Sequence, residues 1–90
     1  MEEGRRSGSD VEGDSSWVAI VHNDPITLMS YVVHVFRVYF GWSEAEARDS
    51  TMDVHRKGEV VVAVGSREEM ERHVQALHGY GLLATLQRNP

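Results

Sequence analysis

The sequence predicts an α+β domain: a three-stranded antiparallel sheet packed against three helices, in the order β-α-α-β-α-β. Three observations carry this. Short runs rich in β-formers open, divide and close the chain at Trp17–Val21, Glu59–Val64 and Leu82–Leu86. The two segments between them carry apolar residues at three- and four-residue spacing. Two of the helices start on a serine with a glutamate three residues later, at Ser43/Glu46 and Ser66/Glu69, a reciprocal capping arrangement.

Trp17-Val-Ala-Ile-Val21 reads as the first strand, and Asn23-Asp24-Pro25 ends it with turn chemistry. Thr27 is the expected N-cap of the helix that follows. There Leu28, Val32, Val35, Phe36 and Tyr39 line up as an apolar face, and Ser30, His34 and Arg37 form a narrow polar one. Most of that helix's circumference should therefore be covered. Gly41 stops it. The second helix runs from Ser43 to about Arg56, with Gly58 as a left-handed stop. Thr51 and His55 are four apart and share a face. Glu59-Val-Val-Val-Ala-Val64 is continuously apolar, mostly β-branched, and is expected to be the central strand. The third helix turns Met70, Val74 and Leu77 inward, and Gly79 and Gly81 punctuate its end. The last strand is Leu82–Leu86, with Gln87 to Pro90 frayed.

The folded unit is expected at residues 17–90. Residues 1–16 hold three glycines and four serines, with Val11 the one apolar residue after Met1. Such a segment cannot bury enough apolar surface to offset its chain entropy, so a disordered tail is expected.

Composition excludes several functions. The net charge is −5, Lys57 is the sole lysine, and no Lys/Arg stripe exists to bind phosphates, which argues against nucleic acid. The chain has no cysteine, so disulfides, thiolate catalysis and Cys-ligated zinc are absent. No His pair has metal-ligand spacing, and no serine sits on a nucleophile elbow. No metal or cofactor is expected, and no catalysis. Leu28–Phe40 is too short and too polar to span a bilayer.

The informative residues are His22-Asn23-Asp24-Pro25 and, thirty residues on, Val54-His55. The first is a polar turn between a strand and an apolar helix. The second puts an imidazole at the end of the next helix. Taken singly, Asn-Asp-Pro is most simply a turn, and His55 most simply answers the helix dipole. Brought together, they would set hydrogen-bond acceptors beside an apolar surface. Such a cluster can hold an ammonium group next to an apolar side chain, the chemistry of a protein N-terminus.

In this order and spacing, Asn-Asp after the first strand, Thr-x-Met opening the helix, Val-His before the glycine turn and the final Leu-Leu-x-Thr-Leu resemble the ClpS family, the bacterial N-degron adaptors of AAA+ Clp proteases. The resemblance covers Trp17 to Leu86 and is nearest the actinobacterial branch. It implies an adaptor that binds proteins with a bulky first residue (Phe, Tyr, Trp or Leu) and delivers them to a Clp unfoldase in the cytoplasm. It implies that Asn23, Asp24 and His55 receive the α-amino group. Thr27, Leu28, Met29, Val32, Thr51, Val54 and Leu82 would line the side-chain pocket, with Met29 rejecting β-branched residues. Glu68 and His73 would dock the unfoldase N-domain. Three positions depart from the family pattern: Pro25 stands where a second acidic residue is common, Thr51 where a methionine is, and His73 where a lysine is. The competing expectation is a module of the same fold that docks on the unfoldase without reading N-termini.

Overall fold

The computed structural model describes residues 16–89. The expected tail, apart from Ser16, lies outside the described residues. The elements follow the expected order: β1 (Trp17–His22), α1 (Met29–Phe40), α2 (Glu44–Lys57), β2 (Glu59–Gly65), α3 (Arg67–Gly79) and β3 (Ala84–Arg88). The sheet is antiparallel throughout.

Its order is β2-β1-β3, so β1 is central and β2 is an edge. This reverses the expectation for Glu59–Val64. A valine run signals strand character without saying how many neighbours the strand has. Burial decides it: Val18 to Val21 are all buried, whereas Val61 and Val64 face solvent. One residue of β2 is also extra. Ala19 pairs with Ala63 and Ile20 with Val61, which leaves Val62 bulged and buried. A bulge twists an edge strand and discourages pairing with another chain.

Both capping boxes form as expected. Ser43 and Ser66 each accept the N3 amide, and Glu46 and Glu69 each reach back to the cap. The first helix differs. Its N-cap is Leu28, with no side-chain cap, because the Thr27 hydroxyl donates to Asp24 at 3.1 Å instead. Only Val32, Val35 and Phe36 of α1 are buried, so its cover is narrower than expected, and Tyr31 and Val38 are exposed. The core joins these residues to Ala19 and Val21, Ala47 and Val54, and Met70, Val74 and Leu77. The last strand begins two residues later than expected, and its end is held rather than frayed. The Asn89 amide donates to the Ser16 carbonyl at 2.6 Å.

At one end of the sheet the ladder of β1 continues into both neighbouring turns. The His22 N–H donates to the Leu83 carbonyl at 2.8 Å, and the Asn23 N–H to the Gly58 carbonyl at 2.9 Å. Gly58 closes α2 at φ 90°, where a Cβ would meet open space but a strained backbone. Gly58→Ala should therefore lower the unfolding free energy by about 1–2 kcal/mol, read as a shifted urea midpoint at constant slope. A midpoint within error of wild type would show that this turn tolerates a Cβ.

Candidate functional site

Those two backbone bonds gather three connections: the β1–α1 turn, the α2–β2 turn and the approach to β3. Between them lies a narrow hollow. Asn23, Asp24, Thr27, Met29, Val32, Thr51, Val54, His55 and Leu82 line it, together with Val21, His22 and Leu83. As it stands the hollow is nearly closed by its own side chains, with a cavity volume of about 20 Å³, so a bulky occupant has to part its wall. The depth is apolar and buried, made by Val21, Val32, Val54 and Leu82. The polar residues come from the turns.

Nine of the ten amine-binding and pocket residues expected from the sequence thus meet in one place. The tenth, Leu28, does not. It is 72% exposed and outside the lining. As the cap of α1 it has extended backbone (ψ 139°) and sits before the helical face begins. The sequence reading gave no pocket role to Val21, His22 or Leu83, although His22 belongs to the stretch it singled out. Val21 and His22 directly precede Asn23, and that adjacency was the available clue. Leu83 adjoins Leu82, and the chain reaches both before β3 starts.

The acceptors differ in their commitments. The Asp24 carboxylate is engaged within its own turn: one oxygen accepts the Ile26 N–H at 2.9 Å, the other the Thr27 hydroxyl at 3.1 Å. This Asx turn fixes the loop without using every lone pair. The carboxylate remains the only formal charge in the lining when the histidines are neutral. His22 is also engaged, with Nε2 at 2.7 Å from the Thr85 hydroxyl and Nδ1 at 3.5 Å from the Glu59 carboxylate. The Thr51 hydroxyl donates to the Ala47 carbonyl at 2.8 Å, so this buried wall residue adds no unsatisfied donor. In contrast, the Asn23 side-chain amide and the His55 imidazole make no hydrogen bond within the described residues. Both remain available to a ligand.

Two helix ends meet here with opposite polarity. The C-terminal turn of α2 carries His55 and favours a cation, and the N-terminal end of α1 favours an anion. These contributions oppose each other. Asp24 supplies the full negative charge that tips the site toward a cation.

The two expected docking residues, Glu68 and His73, both lie on α3. Glu68 is exposed on the first turn of α3 and pairs with Arg72 at 3.7 Å. His73 is half-buried, with Nδ1 at 2.7 Å from the Tyr39 hydroxyl and its ring against Phe40. Five residues along a helix turn a side chain by about 140°, so the two face different directions. Among the described residues no cluster of three or more metal-ligating side chains occurs, and no helix is long and apolar enough to cross a membrane.

The fold and hollow define a class: a small binding module with a cation-favouring rim over an apolar slot. Comparison with known proteins makes the class specific. The family described as ATP-dependent Clp protease adaptor protein ClpS matches residues 12–85. The adapter protein ClpS of Streptomyces coelicolor is 64% identical over 78 residues, covering 87% of this chain and 81% of that one. That of Mycobacterium tuberculosis is 50% identical over 76 residues, covering 84% and 75%. A solved ClpS protein of Agrobacterium tumefaciens, bound to L-phenylalaninamide, superposes with a TM-score of 0.74 at 26% identity, over 84% of this chain and 99% of that one. The chain belongs to the ClpS family of Clp protease adaptors.

The two bonds to Asp24 predict a split between its variants. Asp24→Ala should lose about 1 kcal/mol of stability with the turn's acceptors, whereas Asp24→Asn, which keeps an acceptor for the Ile26 amide, should lose less. Equal thermal unfolding of the two would show that the side-chain bonds do not hold the turn.

Proposed function

We propose that the hollow receives the first residue of a substrate protein, and that the chain delivers such proteins to a Clp unfoldase. The observation that carries this is the pair of unpartnered acceptors, the Asn23 amide oxygen and the His55 imidazole, at the rim of an apolar slot. L-phenylalaninamide, bound by the Agrobacterium relative, has the free ammonium and benzyl side chain of an N-terminal phenylalanine. It supports the same ligand chemistry here.

On this reading the ammonium donates to Asn23 and to neutral His55, and Asp24 compensates its charge through the field of its carboxylate. Val32, Val54 and Leu82 contact the side chain in the depth of the slot. Thr27, Met29 and Thr51 complete the wall. Met29 is the adaptable part: it is flexible, half-exposed and at the start of α1. Bulk at Cβ would meet Met29 before a β-branched side chain could descend, so unbranched bulky residues are preferred. Burying such a side chain contributes about 1.5–3 kcal/mol, and each charge-assisted hydrogen bond a similar amount before ordering costs. Together these give affinity of about micromolar or tighter. Glu68 and the outward face of α3 take the unfoldase N-domain, and His73 supports that helix through Tyr39 and Phe40. The chain itself makes and breaks no bond, and its setting is the cytoplasm, where the unfoldase works.

A fluorescent peptide beginning with Phe should bind with a Kd of roughly 1 µM or below, and its N-acetylated twin at least about a hundredfold more weakly, because acetylation removes the charge and two of three donors. Equal affinity for the two would refute N-terminus recognition and leave a plain docking module. In His55→Ala the affinity for the free-amine peptide should drop about tenfold, the loss of one charge-assisted bond; an unchanged Kd would remove His55 from the site.

A further inference from the structure

The two most exposed large apolar side chains of the described residues lie two positions apart in one turn. Ile26 is 87% exposed and Leu28 72%. Both belong to the turn whose other members, Asp24 and Thr27, line the hollow. Leu83, also exposed, lines the hollow from the opposite connection. These residues are held in place. Ile26 is tied through its amide to Asp24, and the Leu28 carbonyl accepts the amides of Tyr31 and Val32 at 3.1 and 3.2 Å. Leu83 is tied through its carbonyl to His22. Large apolar side chains carried into water on a hydrogen-bonded backbone beside a ligand slot call for a contact in the bound state.

The ligand's own geometry supplies one. A first side chain in the slot leaves the following chain no way out through the buried wall of Val21, Val32, Val54 and Leu82. It must leave across the rim. We propose that Ile26, Leu28 and Leu83 form a second subsite, which takes an apolar side chain from the two residues that follow the substrate's first. This inference rests on the reading of the hollow as an N-terminus site. In an extended ligand, alternate side chains share a face, and the third residue follows the first by about 6.6 Å on the slot side. The third position is therefore the favoured occupant. The rim would make recognition depend on a short apolar-rich N-terminal segment, and not on one residue alone.

The test uses three free-amine peptides that differ only at positions two and three: Phe-Ser-Ser, Phe-Leu-Ser and Phe-Ser-Leu, each followed by the same polar tail and fluorophore. Each is titrated against the wild-type chain and against the double variant Ile26→Ser/Leu28→Ser. Both substitutions are at exposed positions, and serine at the N-cap suits the helix; matching thermal unfolding verifies the fold. In the wild type a leucine at position three, or at two, should tighten binding about three- to tenfold over Phe-Ser-Ser, the gain from partly covering one leucine. In the double variant that ratio should fall toward one. Equal binding of all three peptides by wild type overturns the second subsite and leaves the slot reading intact. So does a leucine gain that survives the double substitution. Failure of all three peptides to bind overturns both.

Discussion

The site depends on one hydrogen bond, from the Asn23 amide to the Gly58 carbonyl. Gly58 ends the helix that carries His55, so this bond joins the two halves of the acceptor pair. It exists because β1 lies in the middle of the sheet. A central strand has a neighbour on each side, and its ladder can run on past its last residue in both directions. On one side it reaches Gly58, on the other Leu83. Had β1 been at the edge, one of these turns would have been out of reach. The sheet order is therefore the condition for the hollow, and the left-handed glycine lets α2 end where the bond can form.

The same economy governs Asp24. Its carboxylate builds the turn that presents Asn23, and on the proposed reading its charge also serves the ligand. A residue used twice is hard to replace. Asparagine would keep much of the turn and lose the field, and glutamate would keep the field and lose the close Asx geometry. Pro25 fits this picture. It has no amide to donate and fixes its own φ, so it stiffens the loop between the carboxylate and the Ile26 amide that closes on it. The charge forgone at this position leaves Asp24 as the sole carboxylate of the lining.

What was legible in the sequence was local. Both capping boxes, the glycine stop at 58 and the inward face of Met70, Val74 and Leu77 are set by neighbours within four residues, and all are present. The convergence of positions 23 and 55 was legible through the resemblance; spacing alone left it open. The errors are tertiary. A valine run looks central because it is apolar, yet β2 is an edge strand with two valines in water. Thr27 looks like a cap, yet a closer acceptor, Asp24, takes its hydroxyl. Leu28 follows the apolar period of α1 but precedes its first turn, so the period does not bury it.

Specificity for a free N-terminus, on the proposed reading, follows from what the site asks of any occupant. In the unliganded chain the Asn23 oxygen and the His55 nitrogen are open to water and lose nothing. An occupant that fills the slot removes that water and must replace it with donors. An ammonium brings three donors on one atom, beside the side chain that enters the slot. An internal phenylalanine brings one amide N–H, no charge, and a preceding residue that would occupy the place of the acceptors' hydration. It would gain the same apolar contact and leave at least one acceptor dry, a penalty of about 1–3 kcal/mol that offsets most of the gain. The slot alone would thus bind many apolar side chains weakly. The two unpartnered acceptors convert that weak, general attraction into a choice for chain ends.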